Sequence, residues 1–313
     1  MLMTGPFQTA LAGQDFDKQE QLPPRKKGYE EIIKPKERLC VMGALMHQID
    51  ANNYLVTVAV VNKYGILVHH KDFMRLLPPR KPRNQGMRDG LGPKDQNKGD
   101  MPKSEEQKEH EVDRQRVIEI LDEYSVDLIV VAANGLDSRR LMEVMQELGV
   151  ETKNCMKPVE EGSKKQQQHH APKEAFVIWG STEIAKLFSL SHYSQKLHKG
   201  FQQILKQTIS LARYEQCPMT EILKLWSPIV AENQALALNL DPLQKLVNQT
   251  KLADALEECN IRAVNNVGVD FNLVMDHEHM QCVLPFLSGL GFRKAKRLIQ
   301  KVKNLPWKLQ SRG

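Results

Sequence analysis

This 313-residue sequence lacks the signatures that announce catalysis. It has no GxGxxG loop, no P-loop, no GxSxG elbow and no HExxH helix, so the chemistries built on those motifs are excluded. Its five cysteines, at 40, 155, 217, 259 and 282, show no CxxC or other paired spacing. That argues against a zinc ribbon or a disulfide framework and predicts reduced thiols inside apolar patterns, in an intracellular compartment. No apolar run reaches the roughly 18–20 residues of a membrane span, and no charged n-region opens a signal peptide, so no membrane partner is expected. Acid is missing from the last 25 residues: from Gly289 to Gly313 the charged positions are Arg293, Lys294, Lys296, Arg297, Lys301, Lys303, Lys308 and Arg312. The net charge of +6 is modest, but this one-signed segment is an electrostatic footprint.

What is present divides the chain in two. Residues 1–37 read as a flexible leader. Leu39–Met46 is a nearly continuous apolar run, as a buried central strand requires. Leu55–Val61 is β-branched, Asn62-Lys-Tyr-Gly65 marks a turn and Ile66–Phe73 follows, which predicts an antiparallel meander. Residues 77–104 are a polar insertion. A helix is predicted over about 105–124, a strand over 127–133 and a helix from Asp137 to about Leu148. A second insertion at 151–173 precedes a strand over 175–179, after which Ser181 should cap a helix. Strand and helix alternating at this spacing predict a parallel α/β unit. From Phe201 the apolar spacing is helical, with Pro218, Pro228, Pro242 and Pro285 at helix starts or approaches. The predicted organisation is an α/β domain at 38–195 followed by an all-α domain at 196–313.

A meander followed by helix, strand, helix, strand, helix is the order of the ribonuclease H-like fold. Nucleases on that fold hold two divalent metals with acids at adjacent strand ends. Here Leu45 stands at the first acid's place, Asp50 lies five residues on in a turn, and Ala133-Asn-Gly135 occupies the second place. Glu183 suits the first turn of a helix, where a negative charge meets the dipole. No catalytic residue, metal ligand or cofactor is therefore predicted; a metal-dependent, structure-selective nuclease is the alternative reading. His69 and His70 should fall on opposite faces of one strand and cannot share a ligand.

The sharpest motif is Leu284-Pro-Phe-Leu-Ser-Gly-Leu-Gly-Phe-Arg-Lys-Ala-Lys-Arg-Leu298, the frame of a helix-hairpin-helix at about 280–303. Leu284 and Leu287 are expected to face inward from a first short helix. Gly289 and Gly291 allow a turn closed to other residues, Leu290 should plug it into the core, and Ala295 is small where helices cross. A helix N-terminus with Arg293, Lys294, Lys296 and Arg297 in or beside its first turn suits a DNA backbone. Gly289, Leu290, Gly291 and those four basic residues are the candidate nucleic-acid site. The competing reading is a helix corner with a solvated basic face. Upstream, in Val267-Gly-Val-Asp-Phe-Asn272, Gly268 is expected to turn between helices, Asp270 to cap the next one and Asn272 to bond the corner. Arg213 is expected to brace helices rather than bind phosphate.

Gly43 in the first strand, Leu128–Gly135, Ser210–Pro218, Leu240–Gln244, Val264–Asn272 and Ser288–Ala295 occur in this order. Together they resemble the YqgF-type and helix-hairpin-helix domains of the Tex family of transcription elongation factors and histone chaperones. The resemblance is nearest to the family's eukaryotic, suppressor-of-Ty-six branch and runs from about Leu39 to Lys303. It implies a nuclear, chromatin-associated protein, with the RNA polymerase II elongation complex and histones as partners and a YqgF-type domain that does not cleave nucleic acid. DNA contact would be weak and sequence-independent. Family members are much longer, with S1 and SH2 domains that this chain does not show, so phosphopeptide binding is not carried over.

Overall fold

The computed structural model describes residues 39–50, 53–78, 105–151 and 175–303. The expected leader, and nearly all of both expected insertions, lie outside the described residues. The elements run β1 (Val41–Gln48), β2 (Tyr54–Val61), β3 (Leu67–Phe73), α1 (Glu105–Glu123), β4 (Leu128–Ala132), α2 (Ser138–Glu151) and β5 (Phe176–Gly180). Then follow α3 (Glu183–Leu190), α4 (His192–Leu197), α5 (Gln203–Gln216), α6 (Pro218–Leu223), three short 3-10 turns, α7 (Gln249–Val267) and α8 (Phe271–Asp276). A 3-10 segment at Glu278–Phe286 and α9 (Gly291–Lys303) complete the order.

The strands form one five-stranded mixed sheet in the order β3-β2-β1-β4-β5. β1, β2 and β3 are antiparallel neighbours, while β4 pairs parallel with β1 and β5 parallel with β4. The expected meander and parallel unit therefore meet in a single sheet. Asn62 sets the β2–β3 turn: its side-chain oxygen accepts from the amides of Tyr64 and Ile66 at 3.0 Å each. Gly65 closes the turn at φ +78°.

Alternation along β1 explains its unbroken apolar run. Met42, Ala44 and Met46 face a core built with Val117, Leu121, Leu141, Met145 and Leu148 of α1 and α2. Val41 and Leu45 face the opposite core, which holds Leu205, Ile209 and Ala212 of α5. Both faces are covered, so neither can be polar. Gly43 lies on the α5 side, where a methyl group would sit 2.6 Å from the carbonyl oxygen of Thr208. α5 thus presses directly on the central strand.

That contact bears on the division expected at 195/196. α5 falls in the predicted all-α half, yet it covers one face of the sheet. Meanwhile Ile184 and Phe188 of α3, from the predicted α/β half, pack into the helical core beside Tyr214, Ile222, Trp226 and Phe286. The amphipathic spacing of α5 reveals an apolar face but cannot say what it faces.

Smaller corrections have clear causes. Ser181 does not cap α3: Thr182 is its N-cap and makes no side-chain cap bond. Pro218 opens α6 and Pro242 opens a 3-10 turn as expected, but Pro285 lies inside the 3-10 segment. A chain of short 3-10 turns tolerates a missing donor better than an α-helix does. Cys259 is exposed, unlike buried Cys40.

Candidate nucleic-acid interface

The glycine turn is built from three directions. The 3-10 segment brings in Leu284, fully buried, and Phe286, 1 % exposed. The expected first short helix is thus a 3-10 segment, and Leu287 serves as its C-cap. Gly289 and Gly291 hold φ of +85° and +57°, which is why both positions demand glycine. At neither would a methyl group meet another atom within 4 Å, so the turn is open to a partner's approach. α9 starts at Gly291, and Ala295, 1 % exposed, fits against Val274, Met280 and Leu284 in a small separate core.

Leu290 does not plug the turn into the core. It is only half-buried, and its amide donates to the Leu287 carbonyl at 3.0 Å. Phe292, also half-buried, is the residue that packs on the helical core, its ring meeting Phe286 edge-on at 5.8 Å. Sequence reasoning also missed Asn265. From α7 its amide nitrogen donates to the Phe286 carbonyl at 3.1 Å, and its side-chain oxygen accepts from the Ser288 amide at 3.1 Å. One side chain therefore fixes the segment entering the turn at two points. The paired asparagines just before Val267-Gly-Val-Asp were the available signal. Downstream, Gly268 ends α7 at φ +79°, and Asp270 caps α8 by accepting from the Leu273 amide at 3.1 Å.

Arg293, Lys294, Lys296 and Arg297 are all exposed on α9. They are not equivalent. The Lys294 ammonium donates to the Gly289 carbonyl at 3.0 Å, drawing that charge back onto the turn. Arg293, Lys296 and Arg297 project from a helix that carries no acid between Gly291 and Lys303. Free N–H groups at the helix start add a partial positive charge. The arrangement can hold an anion without reading a base edge.

The positions a nuclease would use are filled otherwise. Leu45 is 2 % exposed inside the α5-facing core. At the second place, just after β4, the Asn134 amide donates to Ser138 Oγ at 3.2 Å. Glu183 is exposed at the start of α3. Among the described residues no three His, Cys, Asp or Glu side chains gather as a metal site would need. His69 and His70 point to opposite faces, His69 stacking on Tyr124 and His70 on the side of Phe201.

The largest feature hidden from sequence is a buried polar cluster behind the β2–β3 turn. Arg213, 6 % exposed, donates from Nε to the Gly65 carbonyl at 2.6 Å. It braces α5 against the turn. Its Nη1 donates to His198 Nε2 at 3.2 Å. Glu221 accepts from Ser210 Oγ at 2.7 Å and is paired with the Lys224 ammonium; both members of that pair are fully buried. Burial, then the charges of Arg213 and Lys224, push His198 down to about 3 and His279 down to about 2. Burial likewise pushes the Cys282 thiol up to about 12, so it stays protonated.

A glycine turn with positive φ, set between a buried 3-10 segment and a basic helix, marks a helix-hairpin-helix region. Residues 233–313 match the helix-hairpin-helix motif family. The chain is similar to a portion of SPT6-type transcription elongation factors. It is 31 % identical over 176 residues to transcription elongation factor SPT6 of Debaryomyces hansenii, covering 56 % of this chain and 12 % of that protein. With the spt-6 factor of Neurospora crassa the identity is 29 % over 192 residues, 61 % of this chain and 13 % of that one. With the Drosophila melanogaster SPT6 factor it is 26 % over 185 residues, 59 % and 9 %. The match thus spans a small part of the relatives' length. No helix among the described residues is long and apolar enough to cross a membrane.

Proposed function

We propose that this chain is a non-catalytic scaffold and DNA-contacting portion of a nuclear transcription elongation factor and histone chaperone. In this reading it works on chromatin with the RNA polymerase II elongation complex. The observation that carries it is the open glycine turn at the head of an acid-free basic helix, in a chain similar to named elongation factors. Phosphate contact here neutralises charge without base readout, so binding is sequence-independent and falls steeply with salt. The α/β half is read as a ribonuclease H-like domain of the YqgF type; the sheet order β3-β2-β1-β4-β5 and its mixed sense support this. The burial of Leu45 at the acid's place supports a structural role for that half.

Titration of labelled duplex and single-stranded DNA at several salt concentrations tests the reading, with charge reversal of Arg293, Lys296 and Arg297 alongside. The expected result is salt-sensitive binding that the reversed variant loses while its thermal unfolding stays unchanged. Equal binding by both proteins refutes it. Cleavage of branched or hybrid substrates with magnesium or manganese, lost in Glu183→Gln, would instead establish the nuclease.

A further inference from the structure

A cavity of about 170 Å³ lies between the β2–β3 turn and the helical half. An interior hole of about 150 Å³ is known to take a benzene ring, so a phenyl-sized group fits. Met219, Leu273, Val274, Met280 and Val283 make apolar walls. At the mouth Lys63 and Asp270 are both exposed, and their opposite charges offset.

In the polar floor Arg213 has no ion-pair partner among the described residues. Of the floor's two charged members, Glu221 is already committed to Ser210 and Lys224. Arg213 bonds only uncharged acceptors, the Gly65 carbonyl and His198. A guanidinium has five N–H donors, and these two bonds leave the rest without a carboxylate. Glu221 acts on Arg213 only through space, its oxygens being taken by Ser210 and Lys224. A buried charge is costly unless it is paired, and burial lowers the Arg213 pKa accordingly. An anion entering a low-dielectric pocket would find a charge-assisted donor behind apolar walls.

We propose that this cavity is a binding site for a small apolar group bearing a carboxylate, with Arg213 taking the carboxylate and the Met219, Leu273 and Met280 walls taking the apolar body. The site rests on Arg213 and the cavity walls, not on the basic residues of α9, so it is tested separately from the DNA reading.

The test uses the full chain labelled at its methionine methyl groups with carbon-13. Phenylacetate is the probe and phenylacetamide its neutral isostere. Phenylacetate should shift the Met219 and Met280 resonances saturably, with an affinity at least about tenfold above the amide's, the scale of one hydrogen bond to a charged group. Leu273→Trp, at a half-buried wall position, should abolish both shifts. Equal affinities for acid and amide overturn the carboxylate assignment. No response in the unmodified chain, or a response that survives Leu273→Trp, overturns the cavity as a site.

Discussion

Lowering the pH from 7.5 to 5.5 should destabilise this protein well before its carboxylates titrate, because of His198 and His279. Both are buried, at 8 % and 7 % exposure. Arg213 cannot accept a hydrogen bond, so the Nε2 it meets on His198 must be a lone pair, and that ring is the Nδ1–H tautomer. Protonation would remove the acceptor and place a cation beside Arg213. Folding therefore holds the two rings at about 3 and about 2, against a reference of 6.5. The sign follows from linkage: folded values below the unfolded one mean that the unfolded chain binds protons first. The stabilisation is complete above pH 6.5 and is lost as pH falls toward the folded values. One pH unit below 6.5, each ring costs about 1.4 kcal/mol, so the pair costs roughly 2.8 kcal/mol. That is a large share of a typical folding free energy and should move a urea midpoint by roughly 1 M. His198→Gln keeps an acceptor for Arg213 without titrating and should remove about half of the dependence. An unmodified chain with the same midpoint at both pH values would refute the reasoning. So would a His198→Gln/His279→Gln variant that keeps the full dependence.

Three further outcomes are expected. Glu221→Gln should cost about 3–5 kcal/mol in urea unfolding by stranding the buried Lys224 ammonium, whereas Glu221→Leu combined with Lys224→Met should cost much less; a double variant no better than the single one would sink the ion-pair account. Ala295→Leu should lower stability by about 1–3 kcal/mol, since Ala295 is 1 % exposed among Val274, Met280 and Leu284 and a larger side chain would overpack them; an unchanged melting temperature would contradict that packing. Lys294→Met should weaken DNA binding by loosening the turn while leaving the salt slope intact, whereas Arg293→Met, Lys296→Met or Arg297→Met should each reduce the slope by about 0.9. A slope reduced equally by Lys294→Met would place that ammonium on phosphate instead of on Gly289.

The sequence alone determined what depends on local pattern. The unbroken apolar run of β1, the turn at Asn62–Gly65, the parallel β4 and the caps at Gly268 and Asp270 were all legible, because each rests on periodicity or on backbone angles a few residues wide. So were the two positive-φ glycines before α9 and the small residue at its crossing. Tertiary structure alone decided what depends on partners distant in the chain. Phe292, not Leu290, packs on the helical core, because the direction of a side chain leaving a glycine turn depends on where Phe286 already stands. Asn265 reaches the turn only because α7 is laid beside it. α5 belongs to the sheet because Gly43, far earlier in the chain, leaves room for its backbone. Glu221 and Lys224 look like ordinary surface charges in sequence, and Arg213, expected to brace helices, braces α5 against the β2–β3 turn. Folding closes the β2–β3 turn and the helices over them, and only that closure makes their charge expensive enough to matter.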